Sequence, residues 1–188
     1  PTRITSVDSD IEDCIDAGII LVSSAGNNKH KQDITSGTDY NNYFVSTLFG
    51  NRYYHRGSTP GSIANVVNVG AIDYQYQSGV ERQSNFSTCG PRTTIFAPGS
   101  AIQAAIPVSA TLSNNTANHP DDSNYKIRKL QGTSMAAPQV TGIVATLLQA
   151  RPHYKQADVV EWLNETAAEG RLYDPTTGTP ATDYVNYY

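Results

Sequence analysis

The sequence predicts an α/β fold in which a mostly parallel central sheet is flanked by helices. Two continuous apolar runs, residues 19–24 and 66–72, carry this prediction. Continuous rather than alternating apolarity is typical of strands that are buried on both faces, as in parallel sheets. A helical pattern and a glycine precede the first run, which together make half of a βαβ unit.

The first helix is predicted over residues 9–17, where apolar side chains recur at helical spacing. Asp8 or Ser9 is the expected cap at its start, and Gly18 ends it. The acidic side chains Asp8 and Asp10 are therefore interpreted as partners of the helix start.

Later segments complete the pattern. Alternating residues 125–130 predict a half-buried strand, and an apolar helix of small residues follows until Arg151-Pro152 stops it. Residues 156–167 predict an amphipathic helix. Residues 29–59 and 107–124 are expected to be polar surface insertions, the first with a short strand near 43–48. Residues 170–188 are expected to form an irregular tail.

A serine at the start of the small-residue helix is the first candidate for chemistry. Residues 131–142 are Gln-Gly-Thr-Ser-Met-Ala-Ala-Pro-Gln-Val-Thr-Gly. Ser134 thus lies where unpaired backbone N–H groups converge, and their field stabilises an oxyanion. For an isolated Gly-Thr-Ser, an N-cap at Thr133 or Ser134 is the simpler interpretation.

An asparagine after the first buried strand is the second candidate. Residues 25–28 are Ala-Gly-Asn-Asn, and ligands bind beyond the carboxyl ends of parallel strands. A lone Gly-Asn pair is more simply a turn.

The longer motifs change this balance. Residues 132–138 resemble the nucleophile motif Gly-Thr-Ser-Met-Ala-x-Pro of the subtilisin-like serine proteases, the subtilases, and every position matches. Residues 23–27 resemble the Ala-Ala-Gly-Asn segment of that family. The segments 66–72, 84–91 and 95–99 resemble its Val-Gly-Ala strand, Phe-Ser-x-x-Gly segment and Ala-Pro-Gly turn, in the family's order.

This resemblance covers about residues 9–167 and corresponds to the C-terminal half of a subtilase domain. It implies a subtilisin-like fold whose central sheet is incomplete in this chain. It also implies that Ser134 is the nucleophile and that the side chain of Asn27 donates to the oxyanion. The same resemblance makes Ser24, Ala25 and Gly26 one wall of the specificity pocket.

Two positions depart from the family pattern. Gln139 stands after the motif proline, where the family usually has a histidine that is not the catalytic one. Several subtilases bind a weak cation through acidic residues just after Gly-Pro, but residues 92–94 are Arg-Thr-Thr here. The paired Asp121 and Asp122 lack the EF-hand spacing, so we expect neither a metal nor another cofactor.

The sequence shows no catalytic base or orienting carboxylate. A serine nucleophile needs both, and the Asp-Ser/Thr-Gly and His-Gly-Thr segments of subtilases do not occur here. His30 and His55, in the first insertion, are weak candidates for a substitute base, and His119 and His153 are weaker. We therefore expect a separate N-terminal segment to supply the Asp and His, and the chain alone to be inactive.

The composition limits the alternatives. The chain has 188 residues and a net charge of −4, which gives no reason to expect nucleic acid as a partner. No apolar run approaches the roughly 20 residues of a membrane span. The chain begins at Pro1 and its only methionine is Met135, so we expect a processed or partial product. Cys14 and Cys89 are expected to be free thiols rather than a disulfide.

The principal interpretation is a serine endopeptidase fragment that acts on a peptide or protein substrate. A non-catalytic structural or binding subunit of a virion or surface assembly is the alternative, and the Tyr/Asn-rich insertions leave it open. An intact oxyanion asparagine argues against it, because a scaffold without activity has no physical need for that side chain. An esterase has little support, since no Gly-x-Ser-x-Gly occurs.

Overall fold

Strands and helices follow one another in the order that the apolar runs predict. The computed structural model describes residues 3–74, 81–109, 116–168, 170 and 172–173. Its elements are α1 (Thr5–Asp16), β1 (Val22–Ser24), β2 (Phe44–Ser46), β3 (Gly50–Arg52), β4 (Val67–Ile72), β5 (Glu81–Arg82), β6 (Ile95–Pro98), β7 (Ile102–Ile106), β8 (Thr116–Asn118), β9 (Lys126–Leu130), α2 (Thr133–Ala150), α3 (Gln156–Thr166) and β10 (Leu172–Tyr173).

A parallel sheet lies at the centre of the fold. Its order is β1-β4-β6, with Val22 opposite Val67 and Val69 opposite Ile95. Helix α2 packs across all three strands. The predicted fold class, a mostly parallel sheet flanked by helices, is therefore confirmed.

The core forms where α2 and α3 meet the sheet. Val67, Val69 and Ala71 of β4 are fully buried against the inner face of α2 and the apolar stripe of α3. Burial of each valine or leucine side chain stabilises the fold by about 1.5–3 kcal/mol. The buried side chain of Gln156 adds a polar link, since it exchanges hydrogen bonds with Leu21 and also donates to the carbonyl of Asn65.

Helix α1 begins earlier than its apolar pattern predicts. It starts at Thr5, and its N-cap is Ile4 with no side-chain cap, so the predicted cap at Asp8 or Ser9 is wrong. Asp8 is instead buried in the first turn, where it accepts a hydrogen bond from Thr59 and pairs with Arg3 at 2.7 Å. These tertiary contacts hold a turn of helix that has no apolar stripe of its own.

Strand β1 is less buried than its run of apolar residues predicts. It begins at Val22 rather than at Ile19, which is exposed, and only Ser23 within it is fully buried. The reason is its position, since β1 forms the edge of the described sheet. Its outer edge has no neighbouring strand among the described residues.

Further sheets accompany this central one. The first insertion contains the antiparallel hairpin of β2 and β3, and a short 3-10 turn (Tyr54–Arg56) follows it. β7, β9 and β8 form an antiparallel sheet, so part of the second insertion is a strand rather than a loop. Most of residues 170–188 lies outside the described residues.

Two further predictions bear on the class of protein. Cys14 and Cys89 remain thiols and do not bridge each other, as predicted. Among the described residues, no helix has both the length and the apolarity needed to cross a membrane.

Candidate active site

Ser134 lies at the second residue of α2, with its side chain exposed. The N-cap of this helix is Gly132, and no side chain caps it, so the alternative that Thr133 or Ser134 is an N-cap is wrong. The first turn of α2 contains no acidic residue. The partial positive charge of the helix start therefore remains available to an anion beside Ser134.

The side chain of Asn27 lies against this helix start. Its Oδ1 accepts hydrogen bonds from the backbone N–H of Thr133 at 2.9 Å and from the Thr133 hydroxyl at 3.0 Å. A backbone N–H can only donate, which identifies the accepting atom as the amide oxygen. The structure thus brings Asn27 and the start of α2 together, although they are 106 residues apart.

Thr133 determines which way the amide of Asn27 faces. Its buried hydroxyl donates to Asn27 and accepts from the N–H of Gly26 at 3.1 Å. Because Oδ1 is held by two donors, the Nδ2 group is left to donate elsewhere. No sequence pattern predicts that Thr133 orients the amide of Asn27, and its place inside the Gly-Thr-Ser motif is the only signal of this role.

Two of the first backbone N–H groups of α2 already donate hydrogen bonds within the chain. Thr133 donates to Asn27, and Met135 donates to the carbonyl of Gly132 at 3.0 Å. Among the described residues, the N–H of Ser134 has no acceptor. It therefore remains free to donate, together with Asn27 Nδ2, to an oxygen beside the Ser134 hydroxyl.

Glycines allow the loop after β1 and the end of β6 to approach the start of α2 closely. Gly132 has φ +146°, and a Cβ there would come within 3.3 Å of Asn27 Nδ2. Its N–H donates to the carbonyl of Gly99 at 2.7 Å. A Cβ on Gly99 would lie 2.5 Å from that of Ala71, so the Ala-Pro-Gly turn after β6 supports the helix start only with glycine there.

The two departures from the family pattern have structural roles. Gln139 donates to the carbonyl of Pro98 at 2.6 Å and to that of Met135 at 3.0 Å, which ties α2 to the end of β6. Arg92 donates to the carbonyls of Ile63 and Val66. Burial lowers the pKa of Arg92 to about 10, so it still places a positive charge where several subtilases have acidic residues.

A pocket of about 270 Å³ is lined by Gly26 and Asn28, the chain neighbours of Asn27. Ser24, Ala25 and Gly26 line it together with residues 57–61, and their assignment to a specificity pocket remains a prediction. Thr88, whose N–H donates to the carbonyl of Gly26 at 2.9 Å, lines the pocket as well. The first insertion contributes the side chains of His30, Gln32 and Tyr54, which sequence analysis did not assign to the pocket.

The histidines do not complete a catalytic pair with Ser134. His30 lines the pocket and packs edge-on against Tyr54, with ring centroids 5.0 Å apart. The Nδ1 of His55 bonds the carbonyl of Lys31 at 2.9 Å. Within the described part of the chain, the Ser134 hydroxyl makes no hydrogen bond to either ring. Burial lowers the pKa of His30, which favours its neutral form.

An exposed serine at a helix start, with an amide side chain from the end of a parallel strand against the same helix, resembles the arrangement in α/β serine hydrolases. The Subtilase family profile matches residues 2–184 of the chain, so the chain belongs to the subtilase family.

Individual relatives agree with this assignment. Fervidolysin from Fervidobacterium pennivorans is 30% identical over 165 residues, which are 86% of this chain and 20% of that protein. An alkaline proteinase from Hapsidospora chrysogena is 34% identical over 65% of this chain and 25% of its own length. Subtilisin from Bacillus pumilus is 25% identical over 89% of this chain and 46% of its own length.

Solved structures agree as well. The crystal structure of fervidolysin, described as a keratinolytic enzyme related to subtilisin, matches 88% of this chain with a TM-score of 0.64 and 27% identity, over 21% of its own chain. A cold-adapted subtilisin-like serine proteinase matches 96% of this chain with a TM-score of 0.62 and 22% identity. The match covers 50% of that proteinase's own chain. The chain thus spans between a fifth and about half of these proteins.

Proposed function

We propose that this chain carries the nucleophile and the oxyanion hole of a serine endopeptidase, and that a separate N-terminal segment supplies the catalytic Asp and His. Ser134 Oγ attacks the peptide carbonyl, and the histidine of that segment takes the hydroxyl proton and gives it to the leaving amine. Asn27 Nδ2 and the N–H of Ser134 hold the oxyanion. Water then releases the acyl group.

The orientation of Asn27 is the single observation that carries this proposal. Thr133 holds the Oδ1 of Asn27 with two hydrogen bonds, at 2.9 and 3.0 Å, beside the exposed Ser134. An oxyanion hole needs donors that are fixed before the charge forms, because their reorganisation would otherwise add to the barrier. A purely structural subunit needs no such fixed donor.

The edge of the sheet supports a separate segment. The outer edge of β1 has no neighbouring strand among the described residues, and Ile19, shortly before β1 in the chain, has an exposed apolar side chain. An unpaired edge favours pairing with another strand.

The outer face of α2 also supports the proposal of a separate N-terminal segment. Ile143 is half exposed, and a Cβ on the neighbouring Gly142 would meet no atom within 4 Å. The hydroxyls of Thr141 and Thr146 bond back to carbonyls one turn earlier, at 3.0 Å each. With these hydroxyls satisfied inside the helix, the face is suited to burial under a second element.

A reconstitution experiment tests the proposal. The chain is assayed alone, and again after co-expression with the segment encoded upstream of it, for peptide hydrolysis and for labelling by a fluorophosphonate probe. We expect both reactions only in the assembly, and neither when it carries Ser134→Ala. Hydrolysis and labelling by the isolated chain would disprove the split arrangement. An upstream sequence without the Asp and His motifs would disprove the catalytic assignment and favour the structural subunit.

A further inference from the structure

The pocket lined by Gly26 and Asn28 has a buried amide on its lining. Gln32 lines the pocket although its side chain is only 6% exposed. It comes from the first insertion, five residues after Asn27, and the carbonyl of Gln32 accepts from the N–H of Arg92 at 3.2 Å. Its backbone is therefore anchored outside the insertion.

The core fixes the orientation of this amide. The Nδ2 of Asn68, which is fully buried in β4, donates to Gln32 Oε1 at 2.8 Å and lies 3.4 Å from the carbonyl of Arg92. The Oε1 of Gln32 therefore faces the core, and its Nε2 faces the opposite way. A Cβ on Gly57, which also lines the pocket, would lie 2.8 Å from this Nε2.

The Nε2 of Gln32 makes no hydrogen bond within the described part of the chain. Although Gln32 as a residue is nearly buried, its Nε2 itself is open to the pocket, so a ligand that supplies an acceptor can take the place of water there. A pocket built around such a donor discriminates against ligands that leave it unpaired.

The lack of charge on the pocket lining further limits the class of ligand that fits. Its lining contains no Asp, Glu, Lys or Arg among the described residues, and burial favours the neutral form of His30. A carboxylate would therefore lose its hydration without gaining a positive partner. An uncharged acceptor, such as the carbonyl oxygen of a side-chain amide, fits this environment.

We propose that Gln32 determines specificity by donating from Nε2 to the side-chain carbonyl of a glutamine that precedes the scissile bond. This inference rests on the function proposed above, because it takes the pocket as the one that receives the substrate beside Ser134. Glutamine is favoured over asparagine because a pocket of about 270 Å³ has room for the longer side chain.

The test uses the complete protease, meaning this chain with its N-terminal segment, and peptides that differ only before the scissile bond. We expect kcat/KM to be about tenfold higher for glutamine than for methionine, which has a similar shape and no strong acceptor. Glutamate at pH 7.5 should also be cleaved more slowly than glutamine. Methionine or glutamate cleaved as fast as glutamine would overturn the proposal.

Two variants separate the role of the donor from the shape of the side chain. Gln32→Glu keeps an oxygen for Asn68 but replaces the donor with a charged acceptor, so the preference should move from glutamine to lysine or arginine. Gln32→Met should remove the preference for glutamine without creating a new one. Gln103→Glu, at an exposed position of β7, makes the same substitution elsewhere and should leave the preference unchanged. An unchanged preference in both Gln32 variants would contradict the assignment.

Failure of the proposed function can be told apart from failure of this inference. Fluorophosphonate labelling reports whether each variant is folded and catalytically assembled. If the wild-type assembly neither labels nor hydrolyses any peptide, the proposed function fails. Calorimetric titration of its Ser134→Ala form with the glutamine and methionine peptides then decides the inference, since about tenfold tighter binding of glutamine supports it and equal binding overturns it.

Discussion

The core around β4 and α2 buries its apolar side chains, whereas the insertion of residues 29–59 exposes several of its own. In the core, Val69 and Val140 are fully buried, and successive segments contact one another through glycines. In the insertion, Leu48 is 82% exposed, and Phe44 and Val45 of the hairpin are exposed as well. The two regions nevertheless meet where Asn68 of β4 donates a hydrogen bond to Gln32 of the insertion.

This difference separates two requirements of a hydrolase. The proposed nucleophile and oxyanion donors need fixed positions, and the core provides them through α2 and the end of β1. Substrate selection tolerates variation, and an insertion can change without disturbing the sheet. Gln32 and Asp33 of the insertion are less free to change, since both are buried and hydrogen bonded.

The largest expected effect is loss of the nucleophile. Ser134→Ala in the complete protease should abolish fluorophosphonate labelling and reduce peptide hydrolysis to background, because no other group at the start of α2 carries a nucleophilic hydroxyl into the cleft. Ser109→Ala, in an exposed turn, is the matched control and should behave as wild type. Substantial activity in Ser134→Ala would remove the functional distinction between the two regions.

The next effect concerns the oxyanion donors. Asn27→Leu should lower kcat by about 10- to 150-fold with little change in KM, since a hydrogen bond to a charged group contributes about 1.5–3 kcal/mol. Thr133→Val removes the hydroxyl contacts but keeps the backbone N–H bond to Asn27, so its loss should be smaller. Steady-state kinetics of both variants would contradict this order if Thr133→Val were the more damaged enzyme.

A substitution in the core should lower the free energy of unfolding more than a substitution in the insertion. Leu163→Ala, in α3 at 2% exposure, should lower the free energy of unfolding by about 2–5 kcal/mol because it leaves a cavity in the core. Leu48→Ala in the insertion should change it by no more than about 0.5 kcal/mol. Urea unfolding of the two variants measures both values. Equal losses would mean that the insertion is part of the stabilising core.

The smallest effect is a pH dependence of stability. Burial lowers the pKa of His30 below its ordinary 6.5, so the unfolded chain binds more protons between the two values. The contribution of His30 to stability should be full above pH 6.5 and lost as the pH falls through the folded pKa. His30→Phe, which keeps a ring against Tyr54, should flatten this window in melting curves at pH 5 and pH 7.5. An unchanged slope would show that His30 does not titrate in this range.

Much of the architecture was predictable because local pattern and tertiary environment agree. The continuous apolar run over β4 predicts a doubly buried strand, and β4 is the central strand of the sheet. Helix α2 ends at Ala150, before the predicted stop at Arg151-Pro152. The prediction was wrong for the start of α1, since contacts of Asp8 with Thr59, 51 residues away, extend a helix beyond its apolar stripe.

The sequence by itself determined the family, the order of the elements and the nucleophile motif, because these depend on local spacing and on short runs of residues. Only the tertiary structure decided which way the amides of Asn27 and Gln32 face. Their orientations are set by Thr133 and Asn68, which are 106 and 36 residues away and meet them only after the sheet has formed. An amide has a donor at one end and an acceptor at the other, so its chemistry depends on a partner that local sequence does not specify.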